Sequence, residues 1–150
     1  MKLKIPPVVV FLIFGLLMYL LAEFLPVGYF DFFGRHYLMI ALAMFAIIIA
    51  VVALFQFYTA NTTIDPTQPD KTKKMVANGI YAYSRNPMYL AMLLLLLAWG
   101  VWLGNAFNTL LAGGFVAYMN RFQIGPEEQA LTKTFNKDYK QYCSLVRRWF

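Results

Sequence analysis

The sequence predicts an all-α membrane protein, with four transmembrane helices and a C-terminal amphipathic helix at the cytoplasmic interface. Three observations carry that expectation. Only 13% of the 150 residues are charged and 61% are hydrophobic, whereas an ordinary soluble domain is about one quarter charged. Three stretches carry no charge at all: Ile5 to Ala22, Tyr37 to Ile64 and Asn86 to Asn120, of 18, 28 and 35 residues. A hydrocarbon core about 30 Å thick needs roughly 20 apolar residues in a helix. Finally, the basic residues that remain flank these runs on one side, as the distribution of Lys and Arg in membrane proteins requires.

The first span is placed at about 8–25 and the second at about 37–58. The opening Met-Lys-Leu-Lys resembles the start of a signal peptide. The apolar run is longer than a usual signal core and lacks a small-x-small cleavage site, so an uncleaved first span is expected. The third uncharged run would extend roughly 52 Å as one helix, too long for one crossing. Its midpoint, Gly104-Asn105-Ala106-Phe107-Asn108, is a turn-forming cluster. A tight hairpin of two spans, about 88–103 and 107–123, is therefore predicted.

Four spans put both termini on the same side. Lys2, Lys4, Lys71, Lys73, Lys74, Arg85, Arg121, Lys133, Lys137, Lys140, Arg147 and Arg148 all fall on that side, leaving only Arg35 opposite. Both termini are accordingly expected to be cytoplasmic in a single multi-pass domain covering 1–150. The net charge of +6 is then a topology signal and implies no nucleic-acid partner. The single Cys143 rules out an internal disulfide and a CxxC metal site, and no metal is expected.

Two cytoplasmic segments remain. Residues 59–86 contain Asp65-Pro66-Thr67-Gln68-Pro69-Asp70, a run of helix breakers, before Lys71 to Asn86 returns to the membrane. Residues 125–150 open with Gly125-Pro126-Glu127-Glu128. Proline suits the first helical turn, and acids there suit the positive end of the helix dipole. Leu131, Phe135, Tyr139, Tyr142, Val146 and Trp149 then recur every three or four residues and form one apolar face. Gly113 and Gly114 suit helix packing, and Glu23 reads as a snorkelling acid at the outer end of span one. Asn61-Thr62-Thr63 matches a glycosylation pattern by chance on the cytoplasmic side.

Taken singly, the tract Asn78 to Tyr89 and the pair Glu127-Glu128 could be helix entry and capping. The hairpin between them returns both to one membrane face. A pocket there would hold an arginine for a carboxylate, acids for hydroxyl or ammonium groups, and rings for a flat base or a cation.

In these residues the chain resembles the isoprenylcysteine carboxyl methyltransferase and phospholipid N-methyltransferase family, membrane enzymes that use S-adenosylmethionine. Its pattern is a glycine and tyrosine, Arg-His-Pro-x-Tyr, a helical hairpin, Glu-Glu-x-x-Leu, an aromatic, then Tyr-x-x-Tyr. Here the matching residues are Gly79 and Tyr81, Arg85-Asn86-Pro87-Met88-Tyr89, Glu127-Glu128-Gln129-Ala130-Leu131, Phe135, and Tyr139-Lys140-Gln141-Tyr142. The resemblance covers about residues 75–146 and implies cofactor segments at 71–89 and 125–150. It implies that Gly79, Tyr81, Arg85, Asn86, Pro87, Tyr89, Glu127 and Glu128 bind the cofactor, with Arg85 and Glu128 also catalytic. Two departures stand out. Asn86 replaces the family's histidine and cannot take a proton near neutral pH; Asn136 stands where the family often has glycine, a change expected to cost little.

The implied activity is methyl transfer to a lipophilic acceptor with a carboxylate or amine headgroup. A carboxylate arrives ionised; an amine must first lose a proton, to Glu127 or Glu128. The alternatives are a non-catalytic lipid-binding protein of the same fold and a small four-span transporter, which would need an acid within the membrane.

Overall fold

The computed structural model describes residues 5–25, 27–60 and 75–150. Lys2, Lys4, Lys71, Lys73 and Lys74, the breaker run at 65–70 and Asn61-Thr62-Thr63 lie outside the described residues. The described chain is helical: α1 is Pro7–Phe24, α2 Arg35–Thr59, α3 Pro87–Leu103, α4 Asn108–Met119 and α5 Gly125–Leu145. A short 3-10 turn at Gly79–Ala82 precedes α3, and a π-helical turn at Asn120–Ile124 joins α4 to α5.

Helices α1 and α2 are long and apolar enough to cross a membrane. Length and composition would also fit core helices of a soluble protein, so burial decides. Only 22% and 17% of their apolar windows are buried, and Leu12, Leu16, Ile47, Val51 and Phe55 point outward. A core helix would be mostly covered, whereas these faces suit lipid. The chain is therefore membrane-associated. Helix α3 is apolar but shorter, at 17 residues, and α4 proper has 12.

The hairpin lies where the turn cluster predicts. Gly104 ends α3 in the left-handed region, with φ +67°, a conformation that glycine adopts without Cβ strain. Asn105 secures the turn. Its buried amide donates to the carbonyls of Leu25 and Val27, and its Oδ1 accepts from the backbone N–H of Phe107.

The core is formed by Val10 and Met18 of α1, Tyr89 and Leu96 of α3, Phe115 and Met119 of α4, and Ile124. Small buried residues let the helices approach: Ala46 and Ala53 on α2, Ala91 and Ala98 on α3. Gly114 faces the Phe14 ring, as a packing glycine would. Glu23 is exposed near the end of α1.

Two features differ from expectation. A new helix was expected to begin at Gly125-Pro126, but the chain runs continuously from α4 into α5 through the π turn. Proline has no N–H and crowds the carbonyl four residues back. A widened turn just before it relieves both constraints, and a side chain at Gly125 would come within 3.1 Å of the Asn120 carbonyl. The second difference is Asn136, which has φ +41° and ψ −103° inside α5 and kinks it. That backbone suits glycine and strains asparagine by roughly 1–3 kcal/mol, so the replacement is not cheap.

The 3-10 turn sits on the C-terminal end of α2. Gln56 Oε1 accepts from Ile80 N at 3.1 Å, and the Phe57 ring meets Tyr81 edge-on at 5.1 Å. Gly79 has φ +59°, and a Cβ there would lie 1.6 Å from Gln56 Nε2. Gly79→Ala must therefore displace Gln56 or the turn. The expected cost is about 1–3 kcal/mol, read as a lower midpoint of unfolding in mild detergent; an unchanged midpoint would contradict the close approach.

Candidate functional site

The residues singled out by the sequence converge where the N-terminus of α3 meets that of α5. Asn86 precedes α3 and Pro87 is its first residue, buried and lacking the N–H that a helix start leaves unpaired. Tyr89, one turn into α3, donates its hydroxyl to Glu127 Oε1 at 2.5 Å. Arg85 Nη1 lies 3.1 Å from Glu128 Oε1 and also touches the Cys143 sulfur. The two adjacent acids thus each hold one member of the Arg-Asn-Pro-x-Tyr tract.

Helix α5 closes the other side. Tyr139 and Tyr142, with Leu131 and Phe135 of the same helix and Val146 just beyond it, pack against Met75 and Ala77. The Tyr142 hydroxyl donates to the Tyr81 carbonyl at 2.5 Å, tying α5 to the 3-10 turn. Tyr81 itself is buried, and its hydroxyl has no partner among the described residues.

The residues after α5 were expected to continue its periodicity. Instead, Val146 turns extended, with φ −121° and ψ 131°, and the following residues form a strap back across the site. Arg85 N donates to the Arg147 carbonyl at 3.0 Å. The Asn86 amide donates to the Arg148 carbonyl at 2.9 Å, and Trp149 Nε1 donates to Asn120 Oδ1 at 3.0 Å.

Arg148 is the site residue that sequence reasoning missed. Its Nε and Nη2 grip Glu128 in a fork, at 3.1 and 2.6 Å. Such bidentate pairs are the strong form of a carboxylate contact. In the sequence, Arg147-Arg148 looks like one more basic pair at a membrane face. The only available signal was that Glu128, facing Arg85, has a second oxygen to satisfy.

Charge is not balanced in this cluster. While Glu127 holds its proton, two guanidinium groups share the single carboxylate of Glu128, and among the described residues Arg85 Nε is buried without a partner. The cluster can accept a further anionic group. Hydrogen bonding to Glu128 raises the Arg148 pKa further, so its charge is permanent.

Glu127 behaves differently. Loss of solvent around its carboxyl pushes the pKa up from 4.5 to about 7; the neighbouring Glu128 adds to the rise and the Tyr89 hydroxyl opposes it. Glu127 can therefore exchange a proton near neutral pH. His36, the chain's single histidine, is at the other end of α2, edge-on to Trp102 at 5.8 Å. It takes no part here.

The family pattern described as phospholipid methyltransferase matches residues 34–138. That span runs from the start of α2 through most of α5 and contains the whole Glu-Glu and Arg-Asn-Pro-x-Tyr cluster. An uncharacterized protein of Haemophilus influenzae is 47% identical over 62 residues, covering 41% of this chain and 98% of that relative. No solved structure matches. With more than half its length matched, the chain belongs to the phospholipid methyltransferase family.

Proposed function

We propose that this protein transfers a methyl group from S-adenosylmethionine to a lipophilic, membrane-embedded acceptor at the cytoplasmic face. The observation that carries this reading is the double contact of Glu127 with Tyr89 and of Glu128 with Arg85. It joins the two separated halves of the family's pattern into one site. Family membership supports methyl transfer to lipid-like molecules; the cofactor and the acceptor's headgroup are the finer proposal.

The donor set fits the cofactor. Its carboxylate matches the guanidinium groups of Arg85 and Arg148, and Arg85 Nε is a buried donor without a partner among the described residues. Its ammonium and ribose hydroxyls match the carboxylate of Glu128, and the unpartnered Tyr81 hydroxyl is one more hydrogen-bonding group. When bound, S-adenosylmethionine supplies a methyl group on an already activated sulfonium. The chain's own task is then to align the reactants, which is worth up to about 7–11 kcal/mol, and to exclude water with the strap and α5.

Glu127 is assigned to the acceptor's proton. With its carboxylate free at and above neutral pH, it can take a proton from a protonated amine while Tyr89 holds it in place. A carboxylate acceptor would leave Glu127 without that role. Asn86 has an amide committed to the strap, so it serves as a positioning residue and no imidazole is needed.

The proposed topology keeps four spans with both termini cytoplasmic. The segment from Asn108 through Ile124 has 17 residues, as does α3. Each is about 26 Å long, close to a hydrocarbon core that thins slightly around it.

The test is calorimetric titration of the detergent-solubilised protein with S-adenosylhomocysteine, the product form of the cofactor. Saturable one-to-one binding is expected, weakened at least tenfold by Arg148→Met. Failure of the folded protein to bind either S-adenosylhomocysteine or S-adenosylmethionine would favour a non-catalytic lipid-binding protein of the same fold.

A further inference from the structure

A cavity of about 180 Å³ lies at the far end of the bundle from the site just described. It is partly open and lined by the apolar Met18, Phe30, Leu42, Leu97 and Val101, with Asn105, Asn108 and Thr109 as its polar members. Gly100 also lines it, 11 residues beyond Tyr89 on α3. At 1.5 Å per residue the two places are about 16 Å apart along the helix.

Asn108 is the unusual member. It is 1% exposed, yet neither its Nδ2 nor its Oδ1 has a hydrogen-bond partner among the described residues. Asparagine near a helix start normally caps the helix with its side chain. Here no side-chain cap forms on α4; Asn105 supplies the turn's hydrogen bonds instead. Leaving a buried amide unpaired costs about 1–3 kcal/mol for each group. Stability alone would favour leucine at this position.

We propose that this cavity binds a small neutral molecule or group with an apolar, ring-sized body and a hydroxyl, held by the Asn108 amide. Each property follows from the wall. Among the described residues no ionisable side chain lines the cavity, and burying an unpaired charge there would cost far more than a hydrogen bond returns. Met18, Phe30, Leu42, Leu97 and Val101 call for an apolar body. The volume is slightly above the 150 Å³ that suffices for a benzene ring in an apolar protein cavity. A hydroxyl both donates and accepts, so it can meet Oδ1 and Nδ2 of one amide together. Gly100 lets Met18 and Asn108 approach the wall closely: a Cβ there would come 3.0 Å from Met18 Cε and 3.4 Å from Asn108 Cβ.

Fluorine NMR of the protein in lipid nanodiscs tests this with two probes of nearly equal shape, 4-fluorophenol and 4-fluorotoluene. Protein-free nanodiscs provide the partitioning background. The expected result is a saturable bound resonance for 4-fluorophenol, at least tenfold weaker for 4-fluorotoluene. Asn108→Leu should abolish the preference for the phenol. Val101→Phe, which leaves the amide intact but fills the cavity, should abolish binding of both probes. Should Asn108→Leu fail to fold, Val101→Phe and the comparison of the two probes still decide. Equal affinity for the two probes would overturn the proposal. So would the absence of saturable binding, which would mean that the amide meets water only, or binding that survives Val101→Phe.

Discussion

Glu128→Ala is expected to abolish methyl transfer and to weaken S-adenosylhomocysteine binding about 100-fold or more, equivalent to at least about 2.7 kcal/mol. The carboxylate holds Arg85 on one side and Arg148 in a fork on the other. Its removal leaves two guanidinium groups facing each other, one of them with a side chain only 14% exposed. Breaking a fully buried pair typically costs 3–5 kcal/mol; partial exposure here reduces that to about 1–3 kcal/mol of folding stability. The strap should also loosen, because Arg148 is one of its attachments. Double substitution separates the causes. Glu128→Ala with Arg148→Met removes the like-charge repulsion, so it should recover stability without recovering binding. Binding by the double variant as tight as that of Arg148→Met alone would assign Glu128 a purely structural role.

Glu127→Gln should change how the reaction depends on pH. With the Glu127 pKa near 7, the rate of the native protein should rise about tenfold per pH unit below that value and flatten above it. The glutamine variant should be slower by about 10²–10⁴-fold at its best pH, the usual contribution of a positioned base, and should lack that limb. A carboxylate acceptor, already ionised, would give no limb in either protein. Stability has the opposite dependence. Because the folded pKa lies above the ordinary 4.5, the folded state binds the proton more tightly. That contribution is fully present below about pH 4.5 and is lost as pH rises through about 7. Native protein should thus lose stability relative to Glu127→Gln between pH 5 and 8, as measured by denaturant midpoints at each pH.

Much of this arrangement was legible in the residues. Charge-free runs located α1 and α2, and the cluster around Gly104 and Asn105 located the hairpin, because glycine and asparagine leave few other backbone choices there. The proximity of Arg85 and Tyr89 to Glu127 and Glu128 followed from the return of the chain. The strap was not legible: Val146 and Trp149 continue the spacing of Tyr139 and Tyr142, so the helical period persists past the end of the helix. The contacts that pull Val146 extended reach Arg85, Asn86 and Asn120, more than 20 positions away. The π turn was hidden for a related reason. Proline at 126 marks a helix start equally well whether or not another helix runs into it. Asn136 was judged by chemistry alone, whereas its cost arises from backbone angles that only the packed structure reveals.

The central claim is that Glu127, Glu128, Arg85 and Tyr89 form a methyl-transfer site rather than a structural knot. Incubating the purified protein with methyl-labelled S-adenosylmethionine and a membrane lipid extract tests it most directly. The predicted result is label in a lipid fraction, dependent on protein, absent with Glu128→Ala and pH-dependent with a limb near 7. Cofactor binding without label in any lipid, or label undiminished by Glu128→Ala, would contradict it.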